Sequence, residues 1–168
     1  MTEFLEIGKL APNFFTMGVY KNKLGKFKLS DYRGKKYVIL VFYPINFTVS
    51  SILELAKLNN KILEFKKLST QILAISVDSP FSHLQFSLTT TFKNNLKELE
   101  YPLISDLSQE ITKDYHLPIK NGLAYPGLFI IDKEGFIQYY SINNFLYRRD
   151  FNEIIKILQS IQYFKANS

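Results

Sequence analysis

Apolar and polar residues along this chain switch repeatedly between two periods. The run "YVILVFY" (Tyr37 to Tyr43) is continuously β-branched, apolar or aromatic. Such a run predicts a strand buried on both faces. "QILAISV" (Gln71 to Val77) reads the same way. "FFTMGVY" and "KFKL", flanking "KNKLG", predict an N-terminal hairpin, and "GLFIID" and "FIQYYSI", joined at Lys133 to Gly135, predict a second one. Between these runs the period becomes helical. From Ser51 onward, Ile52, Leu55, Leu58, Ile62 and Phe65 recur on one face. "SPFSHLQFSLTTTFK" opens with Ser-Pro, a helix-start pair, although its threonines favour a helix less. "LSQEITKDY" predicts a short helix from about Ser108. A last helix follows Asp150, with Phe151, Ile154, Ile155, Leu158 and Ile161 on its apolar face. Strands alternating with helices predict an α/β domain.

The chain has 168 residues, which suits one domain over residues 1–168. There is no repeat, linker or low-complexity tract. The formal net charge of +6 is spread among acids, with no run of five like charges. Positive charge of this kind attracts nucleic acid or membrane surface weakly, and no nucleic-acid motif accompanies it. No stretch approaches ~18 uninterrupted apolar residues, so no membrane span is expected. The N-terminus has no apolar run of signal length. Lys outnumbers Arg 18 to 3, a skew that A+T-rich coding produces, as in organelle or endosymbiont genomes. The absence of Cys removes disulfides, thiolate nucleophiles and Cys-bound metals together. No metal-ligand cluster and no phosphate-cradling glycine loop is visible, so no cofactor or metal is expected.

Six segments, "KLAPNF", "LSDYRGKKYVILVFYPINFT", "ILAISVDSPFSHL", "YPLISDLSQEI", "GLFIIDKEG" and "INNFLYRR", stand in an order and spacing that resembles the peroxiredoxins. The likeness runs from about Ile7 to Phe164. It is greatest to the typical two-cysteine subclass of alkyl hydroperoxide reductase C and thiol-specific antioxidant type, cyanobacterial and plastid-type members included. It implies a thioredoxin-like fold with a central mixed sheet, flanking helices and an N-terminal hairpin. It also implies homodimers paired through the strand near Ile137 to Ser141, often assembled into rings.

The family's reaction is thioredoxin-dependent reduction of hydrogen peroxide and alkyl hydroperoxides. A thiolate at a helix N-terminus attacks the O–O bond and becomes a sulfenic acid, and a second Cys resolves it. The family motif F-Y-P-x-x-F-T-x-x-C-P-T-E is matched here at Phe42, Tyr43, Pro44, Phe47, Thr48 and Glu54. Ser51 occupies the Cys position, and Ile52 and Leu53 replace the Pro and Thr that follow. The family's Arg before the "GLFIID" strand falls on Pro126, while a second Arg is matched by Arg149. No counterpart of the C-terminal resolving segment precedes Ser168, so that segment is expected to be absent. A designed Cys-to-Ser exchange would leave these neighbours untouched, so natural loss is the better reading.

Ser51, Thr48, Pro44 and Arg149 are therefore the candidate site residues. Ser51 as a nucleophile would need an adjacent base, and neither His83 nor His116 has a sequence reason to reach it. Ser51-Ile52-Leu53-Glu54 instead reads as a capping box. Thr48 reads as a loop residue bonded to local backbone, Pro44 as the end of a strand, and Arg149 either as an anion ligand or, beside Arg148, as a solvated basic corner. Asp78 and Asp106 follow strands, where they would cap helices. The expected role is that of a peroxidase-inactive family member. It would serve as a structural or assembly subunit, alone or mixed with active peroxiredoxins. The alternative is another enzyme class acting through Ser51, Thr48 and Arg149 on an anionic or ester substrate. A plastid stroma is the expected location, and the cytoplasm is the alternative.

Overall fold

In the computed structural model, which describes residues 4–93 and 97–168, the two continuous apolar runs become the centre of a seven-stranded mixed sheet. β1 (Phe15–Tyr20) and β2 (Lys23–Lys28) form the N-terminal hairpin. β3 (Tyr37–Phe42) and β4 (Thr70–Ser76) pair in parallel. β5 (Leu103–Ser105) joins β4 in parallel and β1 antiparallel. A two-stranded ribbon, β6 (Ile119–Lys120) with β7 (Leu123–Ala124), lies outside the sheet. β8 (Gly127–Ile131) runs antiparallel to β3, and β9 (Ile137–Ile142) closes the order β2-β1-β5-β4-β3-β8-β9.

The central strands carry no polar face because both of their faces are covered. Ile39, Val41, Tyr43, Ile72 and Ala74 meet α1 (Val49–Asn60), α2 (Ile62–Lys67) and α5 (Phe151–Ala166) through Leu55, Leu58, Phe65, Ile155 and Leu158. Val38, Leu40, Phe42, Leu73 and Ile75 meet Ala11, Phe14, Leu29 and Tyr115 on the other face. Burying a side chain of this size contributes roughly 1.5–3 kcal/mol, so this double layer is the main source of stability. α3 (Pro80–Lys93) packs against β1 and β5, and α4 (Glu110–Asp114) is one short turn. No helix among the described residues is long and apolar enough to cross a membrane.

The fold differs from the sequence expectation at three kinds of place. The first hairpin turns at Lys21 and Asn22 alone, both with positive φ, which fits a tight two-residue turn and leaves Lys23 to Gly25 in β2. The helix expected from Ser51 to Phe65 starts two residues earlier and breaks at Lys61, whose φ of −99° and ψ of 0° leave the helical region. The short strands β5, β6 and β7 were not expected, since two or three residues carry too little period to be recognised.

Candidate functional site

β3 delivers the chain to the candidate site and Pro44, partly buried, ends it. A turn then leads into α1. Its N-cap is Thr48, in extended conformation, whose hydroxyl oxygen accepts a hydrogen bond from the Ser51 amide at 3.1 Å. The same hydroxyl donates to Ser51 Oγ at 2.9 Å. Ser51 is buried in the first turn. The expected capping box is therefore corrected: Thr48 caps the helix, and Glu54 does not reach back to Ser51. The physical reason is non-local. Glu54 accepts from Nε and Nη2 of Arg149, ninety-five residues away, and a charge pair shielded from water outweighs a local cap.

Arg149 is likewise no solvated corner. Its side chain is only 3% exposed, and besides Glu54 it donates to Gly127 O and Phe42 O, each at 2.9 Å. It thus joins the end of β3, the start of β8, α1 and the approach to α5. Arg148 is exposed, and its Nη1 donates to Ser50 Oγ. Pro126 is buried just before β8 and its carbonyl accepts from Asn143 N at 2.9 Å. It offers neither charge nor N–H donor to the Ser51 turn.

A second set of residues, not singled out as a site from sequence, holds the turn from below. The Asn46 amide donates to Asp78 Oδ2 at 2.9 Å, and Ser76 and Ser82 hydroxyls donate to the same carboxylate. Tyr43 donates to Asn46 Oδ1 at 2.7 Å. His83 is fully buried, with Nε2 3.1 Å from Ile104 O. A carbonyl only accepts, so Nε2 carries the proton, and Nδ1 is left to accept from Asn46 Nδ2 at 3.1 Å. Burial pushes the His83 pKa down to about 4, against an opposing pull from Asp78. His83 is thus a neutral structural group, and it does not contact Ser51. Asp106 accepts from the amides of Ile111 and Thr112 and so braces α4. These bonds fix the turn with Phe47 at φ +63°, an uncommon value for a bulky residue, and hold its ring half exposed against Phe86. No local sequence signal marks Asn46, because its partners come from three separate segments.

As chemistry the arrangement is spare. The chain holds no thiol. Ser51 Oγ is bonded to Thr48, and the nearby carboxylate of Glu54 is engaged by Arg149, so the contacts give Ser51 no activating base. Among the described residues no group of three His, Cys, Asp or Glu side chains could hold a metal ion.

Comparison with known proteins agrees with this geometry. Residues 7–140 match the model of the AhpC/TSA family. The ycf42 protein of Trieres chinensis is 64% identical over 167 residues, covering 99% of this chain and 82% of that protein. The chloroplastic 2-cysteine peroxiredoxin of Chattonella marina var. antiqua is 43% identical, covering 97% of this chain and 84% of that one. Among solved structures, the reduced 2-Cys peroxiredoxin of Plasmodium vivax superposes with a TM-score of 0.90 at 32% identity, over 95% of this chain and 83% of that one. With its mixed sheet, its Pro44-to-Thr48 turn and these relatives, the chain belongs to the AhpC/TSA family of peroxiredoxins.

Proposed function

We propose that this chain is a peroxidase-inactive peroxiredoxin that serves as an assembly subunit in a plastid. The observation that carries the first part is Ser51, seated at the start of α1 where the family's reaction needs a thiolate, in a chain without any Cys. A hydroxyl cannot become a sulfenic acid, so the family's first oxidation step has no atom on which to occur. Pro126 and the engaged Arg149 remove the cationic help as well.

The assembly role is supported by surfaces that remain. β9 is an edge strand of the sheet, covered at its first residue by the Gly8 and Lys9 backbone and open beyond it. An open edge pairs readily with a second copy or a relative. Phe47, Val49 and Phe81 are exposed apolar side chains at the turn and at the start of α3, which suits a further contact. A Plasmodium yoelii relative modified at its N-terminus forms an artifactual octamer. The chloroplastic relatives support the plastid location.

Peroxide consumption by purified protein with a thioredoxin system tests the inactivity. Turnover at the level of a heat-denatured control is expected, and robust turnover would overturn it. Light scattering tests the assembly: a dimer or ring alone, or mixed particles with an active two-cysteine relative, is expected. A monomer that mixes with nothing would refute the subunit role.

A further inference from the structure

The sheet has a second functional-looking end. Segments 33–36, 66–69 (the end of α2 and the turn after it) and 133–135 meet at the start of β3 and β4 and the end of β8. Tyr37 N donates to Ser69 O at 3.1 Å and Gly34 N to Lys133 O at 2.6 Å. The Arg33 side chain lies over Gly135, where an added Cβ would come within 2.8 Å of its Nε. At their junction is a cleft of about 510 Å³ lined by Tyr37, Lys67, Ser69, Lys133, Gln162 and Lys165.

Charge at this pole is not balanced. Lys66 is paired with Glu100, and Lys165 with Asp132 and Glu134. Arg33, Lys35, Lys36, Lys67 and Lys133 have no ion pair among the described residues, and the first four are exposed. With Asp31 as the one unpaired acid beside them, they leave this pole a local positive excess, and it is the exposed aromatics next to the cleft that set it apart from the lysines of the N-terminal hairpin. The last turn of α5, whose Lys165 and Ala166 line the cleft, carries Tyr163 and Phe164, both exposed and packed edge to face at 5.5 Å.

We propose that this pole docks the protein on an anionic lipid surface. Lysine is a flexible point charge that needs no matching geometry. Four lysines and an arginine spread over three segments therefore suit a fluid array of lipid phosphates better than a shaped macromolecular partner. Exposed aromatics beside them suit the headgroup boundary. β3 spans roughly 20 Å, so a docked chain holds the Ser51 turn away from the bilayer, and the apolar turn residues stay free for assembly.

The test is co-sedimentation of the full chain with vesicles of phosphatidylcholine, alone or with one third phosphatidylglycerol. Binding to the anionic vesicles only, reversed by high salt, is expected. Each lysine near a charged surface contributes about fivefold in partitioning, so the variant K35Q/K36Q/K133Q should bind about 100-fold more weakly with an unchanged melting temperature. The control K21Q/K23Q/K26Q removes the same charge from the N-terminal hairpin and should bind nearly as the parent does. No binding, equal binding to neutral vesicles, or equal loss in both variants overturns the proposal. So does tighter binding to tRNA or to an acidic peptide at matched charge, which would assign the pole to that class of partner instead.

Discussion

Replacing Arg149 by Ala should be the most damaging single change near the candidate site. The guanidinium makes four hydrogen bonds: two to Glu54 and one each to Phe42 O and Gly127 O. Its side chain is 3% exposed and that of Glu54 is 15% exposed, so little water can replace it. Arg149→Ala would leave a carboxylate and two strand-end carbonyls without their donor. Breaking a buried ion pair from one side costs about 3–5 kcal/mol. A domain of this size has about 5–15 kcal/mol in all. In urea, with a slope of about 2 kcal/mol/M, the midpoint should fall by about 2 M. Glu54→Gln keeps the shape and removes the stranded charge, so the double variant should be less destabilised than the sum of the single changes. A loss below about 1 kcal/mol in Arg149→Ala, or strict additivity, would show that the pair behaves as a solvated surface bridge and would sink the reasoning.

Three further outcomes follow from the same contacts. Burial holds the His83 pKa at about 4, below that of an unfolded His, so the unfolded chain takes up the proton first. Stability should therefore fall as the pH drops from about 6.5 toward 4, by about 2 kcal/mol between pH 7 and 5; His83→Asn should flatten that slope in urea titrations at the two pH values, and an unchanged slope would contradict it. Thr48→Ala removes the α1 cap and should cost about 1 kcal/mol, more than Ser51→Ala, as read from thermal or urea melts; the reverse ranking would restore the capping box. Ser51→Cys should recover little peroxide turnover, while Ser51→Cys with Pro126→Arg should recover more, and a family-like rate from the first variant alone would show that the missing Arg does not matter.

The central strands were legible because burial on both faces writes itself into consecutive residues. Ile39, Val41 and Tyr43 face one core and Val38, Leu40 and Phe42 the other, so the run has no polar gap. The amphipathic last helix was legible for the complementary reason, and Asp150 caps it as its position suggested. The break at Lys61 was not, because Leu58, Ile62 and Phe65 keep helical spacing across it. Side-chain partners at the candidate site were least legible of all. Ser51 and Glu54 satisfy a four-residue signature, yet their fates are decided by Thr48 upstream and by Arg149 ninety-five residues downstream.

Arg149 is also ambiguous in sequence, where its place beside Arg148 lets it read either as an anion ligand or as a solvated corner. Only the meeting of β3, β8 and α1 around it makes it an interior residue. The same meeting separates the site's two histories in physical terms. A thiol at position 51 would contribute chemistry and almost nothing to the fold, whereas Thr48, Glu54 and Arg149 hold a helix start and two strand ends together. The frame made by Thr48, Glu54 and Arg149 is therefore independent of whether residue 51 carries a thiol.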